Sequence, residues 1–201
     1  LRLISGYDPE DAFSRPEADA ANLSIGPLPQ SFAFGIPDDA PLEFFGDAAA
    51  ARLFEQAIHR LQEMGGTVRR IDYAPFAEAQ KILYEGPWIS ERTAWLEAAI
   101  ERYREHLHPV TRSILEGGNQ YSAKDLFRAM NRLAVLRQRA RAMFRGIDVL
   151  LVPTVPTTYT KTQIESDPIA LNARLGIYTN ITNLLGMCGV AVPNGFRPDG
   201  L

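Results

Sequence analysis

Cysteine is all but missing from this chain: Cys188 is the single example among 201 residues. An internal disulfide and any cysteine-rich metal site are therefore excluded, and the usage fits a reducing compartment, so the cytoplasm is the expected location. Histidine is scarce too. His59, His106 and His108 are the three present; none stands in an H-E-x-x-H setting, so no metal site is expected. Positive charge is not in excess, with 21 Lys and Arg against 24 Asp and Glu. The field on which nucleic-acid binding normally rests is absent, and nucleic acid is not an expected partner. No apolar run approaches the ~20 residues of a membrane-spanning helix, and no charged stretch followed by an apolar one opens the chain, so no membrane partner is expected. A G-x-S-x-G elbow is missing, as is a glycine-rich phosphate loop, and no serine has the glycine-rich surroundings that would expose a nucleophile beside oxyanion donors.

What is present is the make-up of an ordinary globular protein, 46% apolar and 22% charged, of a length that suits one domain or a large part of one. The ends predict a segment of a longer protein. Leu1 to Gly6 reads as the last turn of a helix with its terminal glycine, and Phe196 to Leu201 as a turn leading toward a further strand. No internal repeat, low-complexity tract or linker divides residues 1–201, which are read as a single segment.

Gly6 to Pro29 is rich in Asp, Pro, Ser and Gly without sustained periodicity and reads as a surface loop. Ser31 to Pro37 predicts a strand, with a short extended piece at Leu42 to Phe45. From the candidate N-cap Asp47 to Met64, the residues Phe54, Ala57, Ile58, Leu61 and Met64 recur at helical spacing. Gly65-Gly66 ends that helix and Thr67 to Tyr73 forms the next strand. Strand, helix and strand within about forty residues is a βαβ unit, so the fold class is α/β. Helices follow over 76–84, 87–107 and 109–116, and a long one begins at the cap Ser122. On that last helix Leu126, Met130, Leu133, Leu136, Ala140 and Phe144 are expected to face the core, with its arginines elsewhere around it. Ile147 to Val152 is nearly all apolar and is expected in the middle of the sheet. The hydroxyl-rich turn Pro153 to Thr158 leaves the carboxyl end of that strand, where ligands of open α/β sheets gather. Asp167-Pro168 starts a helix, and 172–186 continues as one. Within it Tyr178, Thr179, Asn180, Thr182 and Asn183 must either bond to backbone or line something. Gly189 to Pro193 is read as a last buried strand.

One stretch concentrates recognition chemistry: Leu83-Tyr84-Glu85-Gly86-Pro87-Trp88-Ile89-Ser90-Glu91-Arg92-Thr93-Ala94-Trp95. Gly86-Pro87 makes a corner between two helices, since Gly ends one cheaply and Pro fits the start of the next. Tyr84 and Arg92 stand on either side, with Trp88 and Trp95 around the arginine. A phenol, a guanidinium and a helix N-terminus suit a small carboxylate. Spacing alone favours an Arg92 tied to Glu85, Glu91 or Glu97, or laid over a ring.

In order along the chain, Gly6-Tyr7-Asp8-Pro9-Glu10-Asp11-Ala12-Phe13-Ser14-Arg15, Leu83 to Arg92, Asp148-Val149-Leu150-Leu151-Val152-Pro153-Thr154, Tyr178-Thr179-Asn180 and Ala191-Val192-Pro193 resemble the second half of the amidase domain in the amidase signature family. The Tyr-Glu-Gly-Pro-Trp and Tyr-Asp-Pro pieces resemble its allophanate hydrolase branch. The resemblance implies a mixed β-sheet covered by helices on both faces and a Ser-cisSer-Lys triad. Family members carry that triad in the half preceding this one, so no catalytic residue is assigned within this chain. On the substrate side, the resemblance implies that Tyr84 and Arg92 hold the carboxylate of allophanate. It further implies hydrolysis of the terminal amide through an acyl-enzyme, with release of ammonia and carbon dioxide, no metal or organic cofactor, and a homodimer. Two other readings stand beside it: a general amidase or the amidase component of a tRNA-dependent amidotransferase, and a non-catalytic structural or interaction segment.

Overall fold

The computed structural model describes residues 7–12, 14, 26–27, 29–38 and 42–200, the side chain of Tyr84 excepted. The helix end expected at Leu1 to Gly6 lies outside the described residues, as does most of the loop to Pro29. The chain forms two compact units, Leu1–Gln30 and Ser31–Leu201. In the first, Asp8 to Ser14 folds on itself: the Ser14 hydroxyl accepts from the Asp8 N–H at 2.8 Å, and the Ser14 N–H donates to the Asp11 carbonyl at 3.0 Å.

The second unit is built on a parallel sheet. Strand β1 (Phe32–Pro37) pairs with β2 (Gly66–Ile71) along its whole length, from Phe32 opposite Gly66 to Pro37 opposite Ile71. It pairs on its other edge with β3 (Val149–Leu150), giving the order β2-β1-β3. Parallel neighbours need a crossover, and helix α1 (Ala48–Glu63) supplies it between β1 and β2. Alternation along β1 sends Phe34 and Ile36 to one face, where Phe54 of α1 covers them. On the other face Ile71 and Ile147 meet Phe76 and Ala79 of α2 (Ala74–Glu85), Leu133, Leu136 and Ala140 of α5 (Ala123–Met143), and Ile181, Leu184 and Leu185 of α8 (Ile181–Leu185). Helices thus lie on both faces, as expected of the class. Each fully buried Phe or Leu contributes roughly 2–3 kcal/mol of transfer free energy.

Helix α3 (Trp88–Tyr103) follows the Gly86-Pro87 corner, and a short 3₁₀ turn at Arg104–His106 leads to α4 (Pro109–Glu116). A second 3₁₀ turn, Gly117–Gln120, joins α4 to α5. After β3 come α6 (Lys161–Ser166), α7 (Pro168–Leu175) and α8. No helix among the described residues is long and apolar enough to cross a membrane.

Several expectations are corrected. Leu42 to Phe45 forms no strand; it runs irregularly into a turn at Phe45-Gly46. The run 147–152 contributes only two residues to the sheet, at its edge rather than its middle: among the described strands it has β1 as neighbour and none beyond. Gly189 to Pro193 is no strand and is not buried, with Val190 85% and Val192 68% exposed. A strand needs a neighbour to take its N–H and C=O groups, and none among the described strands lies beside it. On α5, Leu126 and Met130 stand 37% and 49% exposed, because the helix meets the core only from Leu133 onward. The helix expected over 172–186 breaks after Leu175. There the Asn180 side chain sits against Gly176, where a Cβ would come within 2.2 Å of its amide nitrogen, and the Asn180 N–H donates to the Gly176 carbonyl at 3.0 Å.

Candidate functional site

At the corner, α2 ends on Glu85, Gly86 is extended, and buried Pro87 opens α3. Gly86 is required by contact: a Cβ there would lie 2.4 Å from the Ile82 carbonyl oxygen, which is backbone and cannot swing aside. Helices α1, α4, α5, α6 and α7 each begin with a side chain accepting from their own first turn, namely Asp47, His108, Ser122, Thr160 and Asp167. Helix α3 has none, since its N-cap position is proline; α2 and α8 also begin without a side-chain cap. In the first turn of α3 the Ser90 N–H donates to the Pro87 carbonyl at 3.0 Å, while the partial positive charge of the helix end has no capping side chain.

Arg92 lies one turn into α3 and is exposed. Among the described residues it is bonded neither to Glu85, Glu91 nor Glu97; the ion pairs join Arg104 to Glu116, Arg112 to Glu105, Arg128 to Asp125, Arg132 to Glu78, and Arg197 to Asp47 and Asp199. Nor, among the described residues, does it lie over a ring, a contact made by Arg102 on Tyr103 and Arg174 on Phe45. Glu91, next in sequence, points about 100° away around the helix. Tyr84 belongs to the last turn of α2, and its side chain lies outside the described residues. The two tryptophans part company: Trp88 packs against the core, whereas Trp95 is 77% exposed and walls nothing.

The α3 side away from Arg92 is stitched to the end of α4 and the turn after it. The Ser90 hydroxyl donates to the Gly118 carbonyl at 2.6 Å, and the buried Thr93 hydroxyl to the Leu115 carbonyl at 2.6 Å. The Tyr121 hydroxyl donates to the Glu85 carbonyl at 3.2 Å, holding the end of α2. Sequence reasoning overlooked these hydroxyls, although Ser90 and Thr93, three residues apart, carry the one-face spacing that announces such a contact.

In the turn after β3, Thr154, Val155 and Thr158 are exposed, and Pro153, Pro156 and Thr157 are buried. Thr157 is buried and donates to Asp47 at 3.2 Å; Asp47 also caps α1 and accepts from Arg197 at 2.6 Å. Burial pulls the Asp47 carboxyl upward, but the Ala50 N–H, Arg197 and Thr157 together outweigh it and hold it below its usual range. Of the polar residues over 178–183, Tyr178 exchanges bonds with the Glu43 backbone at 2.7 and 3.3 Å, and Thr182 donates to the Thr179 carbonyl at 2.9 Å. The Asn180 amide nitrogen is buried without a partner. A recess of about 450 Å³ lined by Ile100, Glu101, Arg104, Glu116 and Asn119 lies toward the other end of α3, away from the corner, and the Arg104–Glu116 pair at 2.9 Å already satisfies two of its charges.

The chain is 34% identical over 204 residues to urea amidolyase of Saccharomyces cerevisiae, covering 100% of this chain and 11% of that protein. It thus spans about a tenth of the length of the urea amidolyases it matches. Allophanate hydrolase of Kluyveromyces lactis superposes with a TM-score of 0.81 at 30% identity, over 87% of this chain and 28% of that one. A glutamyl-tRNA(Gln) amidotransferase component from Thermotoga maritima shares the fold, with a TM-score of 0.59 at 20% identity over 92% of this chain and 40% of that one. The family described as Amidase matches residues 1–201 throughout, and to that family the chain belongs.

Proposed function

We propose that this chain serves an allophanate-hydrolysing amidase and that its part is to recognise the substrate carboxylate through Arg92 and Tyr84. The observation that carries the reading is Arg92 itself: a cation with no partner among the described residues, one turn into a helix whose N-terminus no side chain caps. A guanidinium offers a carboxylate two parallel N–H bonds, and the helix end adds partial positive charge. The relatives named for urea amidolyase and allophanate hydrolase support the same substrate class. A charge-assisted fork separates allophanate from neutral amides of the same size, because leaving Arg92 unpaired against a neutral substrate forfeits the interaction.

The amide is cleaved in this reading through an acyl-enzyme. A serine oxygen bonds to the terminal carbonyl carbon, the carbon–nitrogen bond breaks with ammonia leaving, and water then releases the dicarboxylated product, which decomposes to ammonia and carbon dioxide. The serine and its activating lysine belong to the part of the protein that family members place before this segment.

The test is Arg92→Ala and Tyr84→Phe in the full-length protein, measured on allophanate and on biuret, its neutral carboxamide counterpart. KM for allophanate is expected to rise about a hundredfold for Arg92→Ala, the loss of a charge-assisted pair, with biuret unaffected. Unchanged allophanate kinetics in both variants would move the assignment to a general amidase or an amidotransferase component.

A further inference from the structure

We propose that Thr93, working with Ser90 and the Leu115–Tyr121 segment, sets the position of Arg92 and thereby determines selectivity for a carboxylate substrate; the proposal rests on the reading of Arg92 given above. A bidentate contact demands that the guanidinium be held to about half an ångström, yet Arg92 is a long, exposed side chain, so precision must come from the backbone beneath it. The α3 start supplies little of its own, having a proline N-cap and no side-chain cap. What fixes it is lateral. Ser90 and Thr93 lie in the same turn as Arg92 but about 160° and about 100° around the helix from it, so their bonds to the Gly118 and Leu115 carbonyls anchor that turn from behind and leave Arg92 outward.

The contact has no slack. A Cβ on Gly118 would fall 2.1 Å from the Thr93 hydroxyl oxygen and 3.0 Å from its Cβ, so the turn approaches α3 as closely as backbone can. Thr93 is 8% exposed, one of two buried polar residues alongside Thr157 among the described residues. Valine has nearly the same volume but lacks the hydroxyl, which lies 2.6 Å from the Leu115 carbonyl and 3.1 Å from the Ile89 carbonyl of its own helix, so Thr93→Val removes the link to Leu115 with little change in packed volume. At the corner itself, the Tyr121 hydroxyl holds the Glu85 carbonyl, so both the end of α2 and the start of α3 are referred to one turn.

The experiment uses the full-length protein. Thr93→Val is expected to raise KM for allophanate about tenfold with kcat within about twofold and biuret kinetics unchanged, the pattern of lost uniform binding; Thr93→Ser, which keeps the hydroxyl, restores the wild-type KM. Tyr121→Phe, at a more exposed position, is expected to raise the allophanate KM about threefold and keeps the question answerable if Thr93→Val does not fold. An unchanged allophanate KM in Thr93→Val and Tyr121→Phe, while Arg92→Ala raises it, overturns the positioning role and leaves carboxylate recognition standing. Equal losses on allophanate and biuret in Thr93→Val also overturn it, since a merely structural residue would act so. If Arg92→Ala itself changes nothing, it is the underlying reading that falls.

Discussion

Tyr73 puts a polar atom where nothing receives it. Its ring stacks on Phe76 at 5.2 Å and tilts against Tyr178 at 6.0 Å, and its hydroxyl is buried without a hydrogen-bond partner. Burial first, and the neighbouring Tyr178 second, push its ionisation well above the ordinary phenol range, so it stays neutral at any working pH. An unbonded buried hydroxyl costs about 1–3 kcal/mol, and deleting it while keeping the ring removes that cost. Tyr73→Phe is therefore expected to leave stability in thermal melting unchanged or raise it; a loss of more than about 1 kcal/mol would reveal a partner for the hydroxyl. Gly86→Ala goes the other way. Its methyl would meet the Ile82 carbonyl, and a loss of roughly 2–3 kcal/mol is expected in denaturant titration. At this scale the sequence singled out residues at the corner but did not disclose their state. Three glutamates stood within reach of Arg92 in the chain, and only helix geometry settles that none of them bonds to it.

Helices were legible because their ends carry their own chemistry. Ser122 and Asp125 form a reciprocal capping box: the Ser122 oxygen accepts from the Asp125 N–H at 3.2 Å, and Asp125 accepts from the Ser122 N–H at 3.0 Å. Asp125 is held below the ordinary carboxylate range by its bonds to the Ser122 hydroxyl and N–H. Ser122→Ala is expected to cost about 1 kcal/mol, read as a lower midpoint in urea with unchanged slope; an unchanged midpoint would mean that the exposed start of α5 frays in the wild type too. Strands were less legible, since apolar composition marks a segment that wants burial without saying what lies beside it. The run 147–152 and the run 189–193 read alike in sequence. One finds β1 and pairs for two residues, while the other meets no described strand and stays exposed. The turn at Gly176 escaped notice because its cause is the Asn180 side chain folding back, a contact across four residues that helical spacing also permits.

Across the whole second unit, one carboxylate joins pieces that are far apart in the chain. Asp47 caps α1, accepts from Thr157 after β3, and pairs with Arg197, while Asn194 beside Arg197 bonds to Arg60 and to the Leu53 carbonyl of α1. The sequence revealed only the cap, because 110 and 150 residues separate Asp47 from its two distant partners. The Asp47 and Arg197 side chains are 8% and 17% exposed, so solvent screens the pair weakly. Asp199 first and Asp47 second hold the Arg197 guanidinium firmly charged, which leaves Asp47 as the member that titrates. Its carboxyl sits lower in the folded chain than the ordinary value of 3.8. A depressed carboxylate stabilises the fold fully above the unfolded value, and that contribution drains away as pH falls through the folded one. Replacing Asp47 by Asn removes the charge and keeps an oxygen for the cap, at a cost of roughly 2 kcal/mol near neutral pH. The gap in melting temperature between wild type and Asp47→Asn is expected to stay constant from about pH 7 down to roughly 5 and to close progressively below 3.8. A gap that stays constant into that acidic range would show that the variant loses shape rather than charge, and that the fastening of the 157 and 197 segments to α1 does not depend on ionised Asp47.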